Sequence, residues 1–511
     1  MSKPLLNWSD DVLDRQEAGK FLYKLVVRRY EAYHSQRGAS SLCFAVDADW
    51  GAGKSYFVDR WSNDLDAQQH PTVHFDAWAN DLSDDPLVGF LAELQKELKP
   101  WLNERPVAEN VKREMRSKLS ELIKQAGKAA LPTMKVVGSG LVKRYAGVAV
   151  DALEEAWNGE GDEPGQNGPQ KFAATTPLSE KDVSSAVEKF LELTLKAHTD
   201  RQQAVAKLRA NLEDLVEYLA KNAKINVPLF VFIDELDRCR PDYAIRLLEG
   251  IKHLFNARGV CFVVSTNLKQ LSSAIKAVYG QEFNAYKYLK KFFNFEYTLP
   301  APNNESYAHL LVSGSMLVKS AVAGQILPIS CMPPGFIKHD PRNHEAVIAA
   351  TFAAVATAMD LNLRSQKQIF EHMENSMVAL PERTVFPIAY VVFLAALYHN
   401  GLDQFEKIFD SAGLPIDVPL KEFITRDTSI DYQQNGQNQT ATVAGILQSM
   451  HQFAGMRYGE VIERINHRDL GYPYITLRDL SSNVASLPSG RRILMALYGL
   501  LIRNSGFVAI G

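Results

Sequence analysis

The chain is poor in cysteine, in long apolar runs and in net charge. Four cysteines (Cys43, Cys239, Cys261 and Cys331) stand among 511 residues, and no two form a C-x-x-C pair. That spacing excludes a disulfide framework and a cysteine-based zinc site, and it fits a reducing compartment. The formal net charge is only −3, so nothing in the global balance draws the chain to nucleic acid. No clean run is long enough to span a bilayer. Residues 385–398 (VFPIAYVVFLAALY) are uncharged but short, and residues 129–150 are interrupted by Lys135, Lys143 and Arg144. The former reads as a buried helix and the latter as a soluble or interfacial helical segment, so no transmembrane anchoring is expected. Residues 1–16 hold no apolar stretch of the signal-peptide type, and a cytoplasmic protein is expected. There is no internal repeat, and no Asn/Thr-Lys-x-Asp string of a guanine-specific loop.

What is present is ordinary in bulk and specific in places. Hydrophobic residues make up 46% and charged residues 23% of the chain, as in a soluble globular protein of two to four domains. The segment Ala48-Asp49-Trp50-Gly51-Ala52-Gly53-Lys54-Ser55 follows the apolar run Leu42–Val46 and precedes a helical stretch. A phosphate-binding P-loop has this setting. Small residues let backbone N–H groups wrap the phosphates. Lys54 reaches the β- and γ-phosphates, and the Ser55 hydroxyl serves Mg²⁺. The helix that begins near Lys54 adds the positive end of its dipole, a poor place for a lysine unless an anion compensates. Trp50, Gly51, Ala52, Gly53, Lys54, Ser55 and the following Tyr56 are the expected nucleotide contacts. Ala48 departs from the strict pattern, which has Gly there.

A second phosphate-site element ends the run Val227–Ile233 (VPLFVFI), which delivers Asp234-Glu235-Leu236-Asp237-Arg238. Asp234 would anchor Mg²⁺, directly or through water, and Glu235 would orient or deprotonate the attacking water. Val260–Val264 is another buried-strand pattern and ends in Ser265-Thr266-Asn267. Asn267 reads either as a sensor of the γ-phosphate and its water or as the N-cap of the helix Lys269–Tyr279. Strands alternating with helices in this order imply an α/β fold with a parallel sheet and right-handed crossovers. Such sheets bind ligands at the C-terminal ends of their strands.

The expected fold is a P-loop NTPase sheet sandwiched by helices, with a helical insertion and an all-helical C-terminal region. Residues 1–105 and 223–302 form the two parts of the core. Residues 106–222 form the insertion, with a flexible Gly-, Pro- and acid-rich linker near 158–177. Residues 303–380 read as a helical lid and 381–511 as a C-terminal helical domain, with a polar loop at Gln433–Gln439. His451, His467, Asp469 and Asp479 have no nuclease or metal spacing.

Ala48–Ser55, the Phe75-Asp76-Ala77-Trp78 strand end, the string Phe232-Ile233-Asp234-Glu235-Leu236-Asp237-Arg238-Cys239 and Tyr288-Leu289-Lys290-Lys291-Phe292-Phe293 together resemble the KAP family of P-loop NTPases. The likeness runs over roughly residues 10–375. The family's P-loop commonly reads x-W-G-x-G-K-S, which Asp49–Ser55 matches. The resemblance implies a Mg²⁺-dependent ATPase that drives a conformational or assembly switch. ATP would be bound by Lys54, Mg²⁺ by Ser55 and Asp234, and the attacking water by Glu235. Arg364, at a helix start in the lid, would be a γ-phosphate contact. Asp14-Arg15-Gln16 would border the adenine. Asp237 and Arg238 would form a polar cluster beside the site, or an ion pair to the following helix. Lys290 and Lys291 would act as fingers, in cis or from a neighbouring subunit, or form a solvated helix face. Partners would be further copies of the chain or effector proteins. Relatives of this kind keep company with anti-phage and anti-plasmid defence. Two other readings stand beside the ATPase: a nucleotide-gated scaffold with little turnover, and an NTP-driven nucleic-acid motor, which the near-neutral charge disfavours.

Overall fold

The computed structural model describes residues 7–35, 41–82, 86–103, 205–222, 225–252, 257–333, 342–378, 383–434, 436–457 and 494–505, apart from isolated positions, together with scattered positions between these ranges. The expected linker near 158–177, the segment 129–150 and His467, Asp469 and Asp479 lie outside the described residues. Two compact units emerge. One holds residues 1–8, 16–48 and 54–299, and the other holds residues 9–15, 49–53 and 300–511.

The first unit is built from α1 (Arg15–Ser35), β1 (Leu42–Asp47), α2 (Lys54–Ala67), β2 (Thr72–Asp76), α3 (Pro86–Asn103), α4 (residues 205–222), β3 (Leu229–Asp234), α5 (Pro241–Ile251), β4 (Val260–Thr266), α6 (Leu268–Tyr279), α7 (Ala285–Leu289) and β5 (Phe295–Thr298). Its five strands run parallel in the order β2-β3-β4-β1-β5. Both faces of this sheet are covered, so the strands read as unbroken apolar runs rather than alternating ones. On one face Cys43, Ala45, Val73, Phe75, Val231, Ile233, Phe262 and Val264 share a core with α3, α4, α5 and α6. On the other, Trp61 of α2 is the centre: its ring meets Phe44, Phe57, Phe230 and Phe232 at centroid distances of 5.5–6.3 Å. Gly19 of α1 lets that helix approach, since a Cβ there would stand 3.0 Å from the Trp61 ring.

The second unit contains α8 (Asn304–Val312), α9 (Met316–Val322), β6 (Ile326–Ile329), α10 (His344–Ala358), α11 (Leu363–Val378), β7 (Thr384–Pro387), α12 (Ile388–Asn400), α13 (Leu402–Glu406), β8 (Ser429–Gln434), β9 (Gln437–Thr442), α14 (Val443–Gly455) and α15 (Tyr498–Ser505). One core runs from Ala308 to Ile502, so the break expected near residue 380 falls inside a continuous apolar interior. In α12 every residue from Ile388 to Leu397 is buried, which accounts for its lack of amphipathic period.

Three expectations for this region change. It is not wholly helical: β6 and β7 pair in parallel, and β8 and β9 form an antiparallel hairpin. The hairpin occupies the place read as a polar loop at Gln433–Gln439. Ile430 and Tyr432 are buried and Ala441 is partly buried, while β9 is mostly exposed, so no sustained hydrophobic alternation marks it. Cross-strand bonds from Thr440 Oγ1 to Asp431 (2.7 Å) and from Tyr432 to Gln439 (3.0 Å) hold it instead. The buried helix expected over 385–398 starts only at Ile388, because Thr384–Pro387 is taken by β7.

Trp61 sits where four aromatic side chains converge. Replacing it with Ala is expected to cost about 3–5 kcal/mol of the first unit's stability, read as a lower midpoint in chemical unfolding.

Candidate nucleotide site

The parallel register sets the strand ends of β1, β3 and β4 side by side. Asp47 pairs with Thr266, Asp76 with Asp234, and Ile233 with Val264. The residues following these pairs therefore crowd one edge of the sheet, where each carboxylate needs a partner of its own.

Asp234 is held by two donors. Ser55 Oγ lies 3.2 Å from its Oδ2, and the Glu235 backbone N–H donates to Oδ1 at 2.9 Å. Burial nonetheless raises its pKa above the ordinary carboxylate value, against the pull of these donors and of Lys54. Asp237 is buried and accepts from Thr266 Oγ1 at 3.1 Å. Asp47 accepts from the backbone N–H of Leu268 at 2.8 Å, at the start of α6. Glu235 takes a left-handed conformation (φ 59°, ψ 27°), opening the short 3-10 turn Leu236–Arg238. Its carboxylate lies 2.5 Å from Arg238 Nε. Its pKa is raised by burial first and by Asp234 second, with Arg238 opposing.

Lys54 heads α2 and is the cation set among these groups. Burial lowers its pKa, while Asp237, Asp234, Glu235 and Asp47 all pull the other way. Its ammonium donates to the Ala48 carbonyl at 2.7 Å. Ala48 itself extends the β1 ladder through its N–H to Thr266 O (3.4 Å). It is not among the positive-φ residues, whereas Gly51 (φ 76°) and Gly53 (φ 86°) are. Glycine is required at those two positions and not at residue 48, which explains the departure from the strict motif.

The loop residues Asp49–Gly53 group with the second unit. There a Cβ on Gly51 would stand 2.5 Å from Asn362 Oδ1 and 3.0 Å from the Cβ of Arg364, and one on Gly53 would meet Leu363 at 3.7 Å. Asn362 caps α11 by accepting from the Ser365 N–H at 2.9 Å. Arg15 is buried in the same unit and clasps the loop, donating to the carbonyls of Ala52 (3.1 Å) and Pro300 (2.9 Å).

The predicted residues thus fall into two groups. Lys54, Ser55, Asp234, Glu235 and Asn267 lie at the sheet edge of the first unit, and Trp50, Gly51, Ala52, Gly53 and Arg364 lie in the second. Tyr56 belongs to α2 with its ring 3.6 Å from the Arg60 guanidinium. Asn267 spends its side-chain oxygen as an N-cap, accepting from Lys269 and Gln270 (3.0 and 3.1 Å). Arg238 pairs within its own turn rather than with the following helix. Lys290 and Lys291 are exposed, each over a tyrosine ring, Tyr286 at 4.6 Å and Tyr288 at 5.8 Å. Sequence reasoning missed Asp47 and Thr266 as members of the network, and the buried clasp of Arg15. The position of each of the two at the end of an apolar strand was a usable signal. The Arg15 contacts span 37 and 285 residues and left none.

His451 bonds Tyr390 Oη (2.9 Å) and the Ile416 carbonyl (2.9 Å) inside the second core, a structural role. Among the described residues no group of three or more His, Cys, Asp or Glu is arranged to hold a metal, and no helix is long and apolar enough to cross a membrane.

Comparison with known proteins gives one family. The model of the KAP family P-loop domain matches residues 21–374. No curated protein matches the chain. The solved structure of C. elegans PCH-2 is similar at 13% identity over 76% of this chain and 69% of its own, with a TM-score of 0.30; a likeness of that degree carries no argument.

Because Asp234 is harder to ionise folded than unfolded, its charge destabilises the ligand-free protein at neutral pH. Asp234→Asn is expected to raise the melting temperature of that form by about 2 °C. The sign follows from the raised folded pKa: the advantage is present at neutral pH and vanishes below about pH 4, where both states are protonated. A melting series across pH checks it.

Proposed function

The chain belongs to the KAP family of P-loop NTPases, and from that premise we propose that it is a Mg²⁺-dependent ATPase whose turnover drives a conformational or assembly switch. The observation that carries this reading is the convergence of Lys54, Ser55, Asp234 and Glu235 at one sheet edge, 179 residues apart in sequence at the Ser55–Asp234 bond. The donor set suits the ion. A hydroxyl and a carboxylate oxygen form a hard, partial site of the kind Mg²⁺ uses when substrate phosphates and water complete its shell. Ser55 and Asp234 would hold it, and it would supply charge neutralisation at the β- and γ-phosphates.

The remaining roles belong to side chains. Lys54 already sits amid four carboxylates, so a polyphosphate replaces a carbonyl partner with a charged one at little reorganisation cost. Glu235 carries a raised pKa beside the metal-site carboxylate, the property wanted in a group that takes a proton from water. ATP rather than GTP rests on family likeness.

Lys54→Ala is expected to weaken Mg-ATP binding by at least about tenfold in calorimetry, through loss of the phosphate cation. Glu235→Gln is expected to keep binding and reduce hydrolysis by about 10²-fold or more. A purified chain that neither binds nor hydrolyses ATP, alone or with added effector proteins, would sink the proposal.

A further inference from the structure

Glu235 is not at liberty in this structure. It stands at the N-cap of a 3-10 turn in a left-handed conformation uncommon for a non-glycine residue. The three-residue step of that turn brings Arg238 onto the same side, and Arg238 Nε meets Glu235 Oε2 at 2.5 Å. Both side chains are mostly buried, at 27% and 19% exposure. The other side of the guanidinium faces the Trp78 ring, 5.5 Å from its centroid.

Trp78 itself is presented on a braced turn. Ala77 N–H donates to the Asp234 carbonyl at 3.0 Å, Ala79 N–H to Asp76 Oδ1 at 2.8 Å, and Asp81 N–H to the Trp78 carbonyl at 3.2 Å. Arg240, preceding α5, then fixes Asp81 through its backbone N–H (2.9 Å) and its Nε (2.8 Å). The turn is anchored at both ends while Trp78 remains 54% exposed.

We propose that Arg238 is a restraining residue for hydrolysis, holding the Glu235 carboxylate in an ion pair that must open before that carboxylate can serve the attacking water, with Trp78 bracing the arginine from behind. This rests on the reading of Glu235 as the group that engages water. A carboxylate oxygen engaged by a guanidinium has its acceptor capacity taken. The braced state is therefore a slow one, and loss of the guanidinium accelerates the chemical step without touching the phosphate-binding residues.

The test is steady-state Mg-ATP hydrolysis by the full chain, with ATP binding measured separately. Arg238→Ala is expected to raise kcat about three- to tenfold, with KM changed by less than about twofold. Arg238→Lys, which can keep the pair, returns kcat toward the wild-type rate. Trp78→Ala, a surface change that leaves the fold intact, raises kcat by about twofold. A merely structural arginine would lower kcat on truncation and would not split kcat from KM. If wild type and Arg238→Ala bind ATP alike and the variant turns over no faster, including the case in which neither turns over, the restraint is overturned while nucleotide binding stands. If Arg238→Ala proves unstable, a Trp78→Ala rate at or below wild type overturns it. Failure of the wild-type chain to bind ATP is the separate result that removes the proposed function itself.

Discussion

A parallel sheet brings every strand end to one edge, and here that edge gathers carboxylates. Asp47, Asp76 and Asp234 end three strands, and Glu235 and Asp237 follow the last of them. Like charges this close are tolerable only if each is individually satisfied. The sequence supplies partners of the shortest kind: the N–H groups of Leu268, Ala79 and Glu235, and the hydroxyls of Ser55 and Thr266. None of these donors carries charge, so the edge stays electronegative and Lys54 is drawn into it at the head of α2. The result is a lysine ammonium set among carboxylates at one sheet edge, created by strand register.

The same logic explains which loop positions are constrained. The chain leaves β1 still hydrogen-bonded to β4 through Ala48, so residue 48 is in effect a strand residue and alanine suffices. The turn proper is made at Gly51 and Gly53, both at positive φ, and at Gly51 the close approach of Asn362 also leaves no room for a Cβ. A motif defined by letters places the first glycine where this backbone does not need one.

The sheet core was legible because its strands are buried on both faces, and buried parallel strands announce themselves as runs such as Leu229–Ile233. The acidic pair after β3 and the Gly-Lys-Ser after β1 were legible because phosphate chemistry restricts residue type. What remained hidden had no local signal. The Arg15 clasp joins positions far apart in the chain. The β8–β9 hairpin sets few apolar side chains against the core (Ile430, Tyr432 and, in part, Ala441) and is mostly polar, so its order comes largely from backbone pairing and cross-strand bonds that composition does not encode. The choice of Asn267 between sensor and cap turned on where one side-chain oxygen points, which the spacing left open. Its oxygen accepts from the first turn of α6, and both alternatives had the same residue type in the same place.

The 3-10 turn after β3 shows how a binding edge can be coupled to a surface. Asp234 is fixed by its donors, and Glu235 is its neighbour in the chain. The Glu235 side chain is tied to Arg238, and Arg238 to a tryptophan that is half in solvent. The Trp78 turn is bonded at its base to the Asp234 carbonyl and at its far end to Arg240. Its exposed ring lies against the Arg238 guanidinium, so a contact made on the ring would bear on that group. On the proposed roles, the carboxylate that would hold the metal is fixed by uncharged donors, and the carboxylate that would meet the water is tied to the surface through Arg238. Nucleotide binding and nucleotide turnover would then answer to different events.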